Sequence, residues 1–152
     1  IQFNDESNRE GHAAKVYFNA LFGMKFSRGQ ENPINAALNY GYSLLLSLCN
    51  REIAANGYLT QLGIHHDNVY NAFNLGSDLM EPFRVVVDRC VVQMEPEAFT
   101  TTEKRAVLAI LEQETAIAHT RQTMQNAMKI YVKSALDALG QGDISLLQFP
   151  CL

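Results

Sequence analysis

Between Gly63 and Arg84 the chain concentrates two histidines, His65 and His66, three acids, Asp67, Asp78 and Glu81, and the arginine that ends the stretch. A further acid, Glu10, stands near the start of the sequence. Carboxylate oxygens combined with one imidazole form a donor set suited to a hard divalent cation, Mg²⁺ or Mn²⁺, that keeps several of its waters. A cation held this way activates a hydroxyl or water and offsets charge on a phosphoryl group in transfer. Asp78 and Glu81, three residues apart, share one face of a helix and can reach a common ion. Each donor also has a plainer reading. Glu10 closes a capping box with Ser7, and Asp78 and Glu81 fall in a helix start, where negative charge suits the dipole. The capping reading is weaker for Glu81, which lies one turn in, beside Pro82.

Other chemistries compete. His66-Asp67 is the dyad of HD-type metal phosphohydrolases, which need further helical ligands, and only His12 and Asp88 offer themselves, both poorly placed by pattern. A cysteine nucleophile lacks an electropositive, exposed neighbourhood, and no nucleophile elbow surrounds a serine. His12 and His119 read as surface histidines on helices. A non-catalytic helical interaction module, with the acids as caps and the histidines packed, is the reading from a different class.

The elements that must position these groups read as helices. The first runs from a Ser7 cap to about Phe22, with an apolar stripe of Ala13, Ala14, Tyr17, Phe18 and Leu21 in line with Glu10. Asn32-Pro33 opens a second and central helix through Ile34, Ala37, Leu38, Gly41, Leu44, Leu45 and Leu48, ending near Asn56 with Gly57 beyond it. Gly41 in its interior implies a close helix crossing. Asn39, Tyr40 and Tyr42 beside it either face a ligand or satisfy hydrogen bonds at the rim of the core. Residues 58–77 have no helical period in their first half, and Leu59, Leu62 and Ile64 are expected to anchor them to the core. Helical spacing resumes at Asp78 behind a Ser77 cap and runs to Met94, bent at Pro82. Thr100 and Glu103 form a capping box, and a last long helix carries Ile117, Met124, Met128, Tyr131 and Leu136 to Gly140. An apolar tail over 144–152 packs back. No convincing strand pair is evident, so the class is all-α: a single helical domain, residues 1–152, of five to seven helices around a central apolar one.

With 152 residues, 47% of them hydrophobic, the chain suffices for one buried core and not for two. A net charge of −4 gives no whole-chain signal for nucleic acid, yet Arg9, Lys15, Arg84 and Arg89 lie near the candidate acids in sequence. Three well-separated cysteines, Cys49, Cys90 and Cys151, with no CxxC pair, are expected as free thiols in a reducing cytosol. The absence of a long apolar run or of a basic leader points to a soluble, cytoplasmic protein. A start at Ile1 is expected of a piece of a longer protein.

Four blocks carry a resemblance. They are Arg9-Glu10-Gly11-His12-Ala13-Ala14-Lys15-Val16-Tyr17-Phe18, Asn35 to Ser43 around Asn39-Tyr40-Gly41-Tyr42, Gly63-Ile64-His65-His66, and Asp78-Leu79-Met80-Glu81-Pro82-Phe83-Arg84. In this order and spacing they resemble the CRISPR-associated integrase/endonuclease of spacer acquisition in prokaryotes. The double histidine, with Asn68 to Asn74 after it, looks most like the type II subtype that accompanies a single-protein RNA-guided effector nuclease. The resemblance covers essentially the whole chain but only the family's C-terminal helical catalytic domain. The N-terminal β domain, which mediates homodimer formation, has no counterpart here.

The resemblance implies a metal triad of Glu10, His66 and Glu81 binding Mg²⁺ or Mn²⁺, with Asp78 and His65 as additional or supporting groups. His66 fits the family spacing to Glu81 better than His65 does. Arg84, Lys15, Asn39 and Tyr42 are candidate DNA contacts. The implied reaction is attack by a DNA 3′-hydroxyl on a phosphodiester at the repeat boundary, or metal-dependent cleavage in a related step. The implied partners are prespacer DNA, the CRISPR repeat and a small ferredoxin-fold adaptation subunit, with no membrane involved.

Overall fold

The computed structural model describes residues 9–152. Six α-helices follow one another: α1 (Arg9–Phe22), α2 (Pro33–Ala55), α3 (Asn74–Met80), α4 (Arg84–Met94), α5 (Thr101–Leu108) and α6 (Met124–Gln141). A small antiparallel hairpin, β1 (Glu114–Ile117) and β2 (Thr120–Thr123), lies between α5 and α6. The expected Ser7 cap of α1 lies outside the described residues.

The mostly helical architecture is organised around α2, as its composition implies. Asn32 caps it by accepting a hydrogen bond from the Asn35 amide at 2.8 Å, Pro33 opens it, and Gly57 leaves it with φ 81°. Ala37, Leu38, Leu45, Cys49 and Ile53 are fully enclosed, and α3, α4, α5 and α6 all pack against this helix. Burial pushes the Cys49 thiol up to about 12, so it is an inert core group.

Two glycines set the crossings. A Cβ on Gly41 would overlap both methyl groups of Val87 and press on Val107, so α4 and α5 approach α2 at backbone distance there. Gly76, which in sequence looks like a loop residue, makes the same kind of contact for α3: a Cβ would run into Asn50. That packing lets α3 start four residues before the expected Asp78. Ser77 is therefore inside the helix and returns its hydroxyl to the Phe73 carbonyl at 2.9 Å instead of capping. Pro82 breaks the run as anticipated. The Glu81 amide bonds the Asp78 carbonyl, and residues Glu81–Phe83 form a single 3₁₀ turn between α3 and α4.

The C-terminal third departs further from the sequence reading. The Thr100–Glu103 capping box is present. Ile117, however, belongs to strand β1 and not to the last helix, and His119 lies in a hairpin turn and not on a helix. Ala118 and His119 adopt φ of 50° and 60°, the two left-handed residues of a two-residue hairpin connection. Alternate burial of Thr115 and Ile117 gives the strand its period of two. Helix α6 ends at Gln141, with Gly142 in the left-handed conformation, two residues past the expected Gly140. The tail does pack back: the Cys151 amide bonds the Ala116 carbonyl at 2.9 Å, and Phe149 meets the Tyr131 ring.

Replacing Gly41 weighs two opposed terms. Alanine gains about 1 kcal/mol in helix propensity, while overpacking a filled core costs about 1–3 kcal/mol. With buried Val87 in the way, Gly41→Ala is expected to lower the midpoint of urea unfolding. An unchanged or raised midpoint would mean that Val87 can turn aside.

Candidate functional site

Asp78 organises the histidine loop. Its Oδ2 accepts from the backbone amides of Ile64 (2.5 Å) and His65 (3.0 Å), and its Oδ1 from the His66 amide (3.1 Å) and the His66 Nδ1 (2.5 Å). The side chain thus satisfies three consecutive amides and one imidazole nitrogen. Gly63 makes this possible: a Cβ there would meet the His66 carbonyl and come within 2.9 Å of the Asp78 carboxylate. Buried Asn74 fastens the rest, its Nδ2 donating to the carbonyls of Gln61 and Asn68 at 3.0 Å each. Leu59, Leu62 and Ile64 do not anchor the loop; all three are more than half exposed. Polar bonds to Asn74 and Asp78 of α3 do that work.

The imidazole geometry follows. The bond to Asp78 occupies His66 Nδ1 and leaves Nε2 unengaged by that carboxylate, an arrangement that suits a metal-binding histidine. His65 is exposed, with its ring 5.7 Å from that of His66 in an edge contact, and only its backbone engages Asp78.

Glu10 and Glu81 line one open groove of about 400 Å³ between α1 and the α3–α4 joint. Ala13, Ala14, Tyr17 and Phe18 of α1 form one wall and Arg84, Val85 and Asp88 the other. Of the expected apolar stripe of α1, Ala13, Ala14, Tyr17 and Phe18 line this groove, only Phe18 among these four also packing against the core, and no residue of α1 is buried. Glu81 is half-exposed and ion-paired to Arg84, at 3.0 and 3.3 Å from Nη1. Among the described residues, no three His, Cys, Asp or Glu side chains stand close enough together to hold an ion. The donor types fit a hard cation, and two of the three expected ligands share the groove. The third, His66, is tied through Asp78 to the same helix one turn before Glu81.

The expected DNA contacts separate. Lys15 is exposed on α1. Asn39 is exposed but accepts from Arg28 Nη2 at 2.6 Å. Tyr42 is no surface contact: it is buried, donates its hydroxyl to Asp88, and lies under Arg84, whose guanidinium carbon is 4.5 Å from the ring centre. Burial and then the Asp88 hydrogen bond raise the Tyr42 phenol well above its ordinary value, so it remains a donor.

Three groups here went unnoticed as site residues in the sequence. Buried Asp88 takes the Tyr42 hydroxyl on one oxygen and the Tyr17 hydroxyl, at 2.7 Å, on the other. Arg28, from the loop after α1, lies 5.4 Å over Phe18 and 5.5 Å over Tyr42, its pKa lowered by burial and by Arg84. The available signal was Asp88 itself, an acid inside the apolar run Val85 to Val92 at helical spacing from Glu81 and Arg84. Asp88, which the HD-type arrangement would need as a ligand, is taken by two tyrosines.

A mostly helical domain with an acid-lined groove and a carboxylate-held histidine is the class these observations define. The family model described as CRISPR associated protein Cas1 matches residues 7–122, and the chain belongs to that family. It is 43% identical over 94 residues to a CRISPR-associated endonuclease Cas1 of Neisseria meningitidis, covering 62% of this chain and 31% of that protein. It is 32% identical over 152 residues to a CRISPR-associated endonuclease Cas1 of Archaeoglobus fulgidus, covering 86% and 40% respectively. The chain thus spans well under half the length of these relatives. Among solved structures, a casposase bound to integration product aligns over 93% of this chain and 51% of its own, with a TM-score of 0.76. At 22% identity that likeness is one of fold.

The Asp78 pKa fixes a pH window. Burial raises it, but the His66 side chain and the three backbone amides outweigh burial and bring it below the ordinary 3.8. A depressed carboxylate stabilises the folded loop above its unfolded pKa, and this contribution is lost as pH falls through the lower folded value. Amide exchange at residues 64–66, corrected for intrinsic rates, is expected to lose protection only below pH 3.8. Asp78→Asn should remove that protection already at neutral pH. Equal protection in the variant would show that the loop is held otherwise.

Proposed function

We propose that this chain is the catalytic domain of a CRISPR-adaptation nuclease/integrase. In this reading Glu10, His66 and Glu81 hold Mg²⁺ or Mn²⁺ and the groove receives DNA. The observation that carries the reading is the placement of Glu10 and Glu81 on one groove, with His66 fastened by Asp78 to the helix that delivers Glu81. Family membership and the names of the relatives, endonuclease and casposase, agree with it.

The chain's own groups divide the work as follows. Asp78 holds His66 as the Nδ1–H tautomer, leaving Nε2 for the cation, while His65 contributes its amide to the same carboxylate. Arg84 neutralises Glu81 while no cation is bound, and on DNA binding it turns to a phosphate oxygen. Its Nε, buried without an acceptor among the described residues, is a donor still to be satisfied. Lys15, exposed on α1 outside the groove lining, offers a further positive charge to the DNA backbone. When bound, the cation supplies activation of the attacking hydroxyl and stabilisation of charge on the phosphoryl group. In strand transfer a DNA 3′-hydroxyl forms the new P–O bond at the repeat boundary, one P–O bond of the repeat breaks, and its 3′-oxygen leaves. The DNA partners are a prespacer fragment and the CRISPR repeat. The full-length protein acts as a homodimer with a small ferredoxin-fold subunit. No helix among the described residues is long and apolar enough to cross a membrane.

In the full-length protein, Glu10→Ala, His66→Ala and Glu81→Ala are each expected to weaken Mn²⁺ binding in calorimetric titration and to abolish strand transfer. Intact transfer in all three would end this reading in favour of a non-catalytic helical module. Arg84→Gln separates two effects. It should tighten Mn²⁺ binding, because the competitor for Glu81 is gone. It should also weaken DNA binding and reduce the salt slope by about one unit. Mn²⁺ affinity unchanged by Arg84→Gln would mean that the Arg84–Glu81 pair does not oppose the cation.

A further inference from the structure

We propose that Asp88 is a positioning residue for this centre, acting through Tyr17 to set where Glu10 stands relative to Glu81. The inference rests on the reading of Glu10 and Glu81 as donors.

Helix α1 needs such a tie. None of its residues is buried, so the area term that fixes the other helices is weak here. Its ring stack, Phe18 with Phe22 and Phe26, lies beyond Tyr17 from Glu10 and steadies the C-terminal end. On the Glu10 side of that stack, the Tyr17 hydroxyl reaches across to α4 and donates to Asp88 Oδ2 at 2.7 Å.

The acceptor cannot drift. Asp88 is 3% exposed, and its other oxygen is held by the buried Tyr42 of α2. The Tyr42 ring lies beneath both Arg84 and Arg28. Gly41, next in sequence, lets α2 come close enough to Val87 for the Tyr42 hydroxyl to reach Asp88. Burial, followed by the Asp88 bond, pushes the Tyr17 phenol up to about 12, so the donor proton is retained at any working pH.

The spacing connects this bond to the centre. Glu10 and Tyr17 are seven residues apart on one face of α1, and Glu81 and Asp88 are seven apart on the opposing wall; all four line the groove. The hydrogen bond and the carboxylate pair are therefore two rungs about 10 Å apart, from a rise of 1.5 Å per residue. Over that lever a 10° swing of α1 about Tyr17 moves Glu10 by about 2 Å, as much as a whole metal–oxygen bond. A tie at Tyr17 thus governs an ion site it does not touch.

The test uses the full-length protein with Mn²⁺ as probe. Tyr17→Phe removes one hydroxyl from a residue that is 41% exposed and keeps the ring, so folding is preserved. It is expected to raise the Mn²⁺ dissociation constant about tenfold, with the Mn²⁺ demand of DNA cleavage rising in proportion and the rate at saturating Mn²⁺ nearly retained. Amide exchange in residues 10–16 should accelerate while α4 stays protected. Asp88→Asn should act in the same direction. Unchanged Mn²⁺ affinity with a lowered thermal midpoint would mark the bond as a mere structural tie and overturn the proposal. Glu81→Gln is the control. If it too leaves Mn²⁺ binding intact, the donor assignment fails and the positioning role with it. If it alone abolishes binding, only the positioning role fails.

Discussion

One carboxylate gathering three amides and an imidazole nitrogen is the constraint on which the histidine loop depends. The loop leaves its apolar side chains Leu59, Leu62, Ile64, Val69 and Tyr70 exposed, so its conformation comes from directed bonds and not from burial. Hydrogen bonds to a charged acceptor are the strongest kind available for that purpose. Asp78 can act so because it sits in a helix that is itself locked to the core by Leu75, Leu79 and the close passage of Gly76. Rigidity is carried from the centre outward: α2 fixes α3, α3 fixes Asp78, and Asp78 fixes the backbone of residues 64–66.

The α1 wall of the groove is held by a second aspartate, on α4. Asp88, ten residues on, engages two phenols instead of amides and holds a helix instead of a loop. In both places an acid that is not itself in the proposed donor set decides where a donor can stand. The arginines complete the electrostatics. Arg28 and Arg84 flank Tyr42 and keep a groove with several carboxylates from being uniformly repulsive to a polyanion.

Much of this was readable in the residues. Helix periodicity, the Asn32-Pro33 start, the Thr100 capping box and the implication of Gly41 depend on neighbours within a few positions, and such local rules carried through to the structure. What escaped depends on distant partners. The apolar stripe of α1 has the right spacing for a core face, but spacing does not say whether another element will cover it. Gly76 looks like a breaker until Asn50 of α2 is placed beside it. The hairpin was hidden because Ala118-His119 lacks the Asn-Gly chemistry that usually marks a two-residue turn, and Ile117 also fits a helical repeat. Type and spacing nominate Glu10, one of His65 and His66, and Glu81 or Asp78; the choice of His66 and Glu81 among them comes from the family resemblance. The roles of Tyr17, Arg28 and Asp88 required the fold, since the Tyr17–Asp88 pair is separated by 71 residues.

The returning tail has a consequence for self-association. A two-stranded hairpin leaves two rows of unpaired peptide groups, each a template for another chain. Here one row is partly occupied from within: Cys151 gives its amide to Ala116 and takes the Thr115 hydroxyl on its carbonyl at 2.5 Å. The edge left open belongs to β2, whose residues Thr120, Arg121, Gln122 and Thr123 are polar and include a charge. The last few residues thus act as a selvedge, finishing the apolar border of the sheet so that only its hydrophilic border meets solvent.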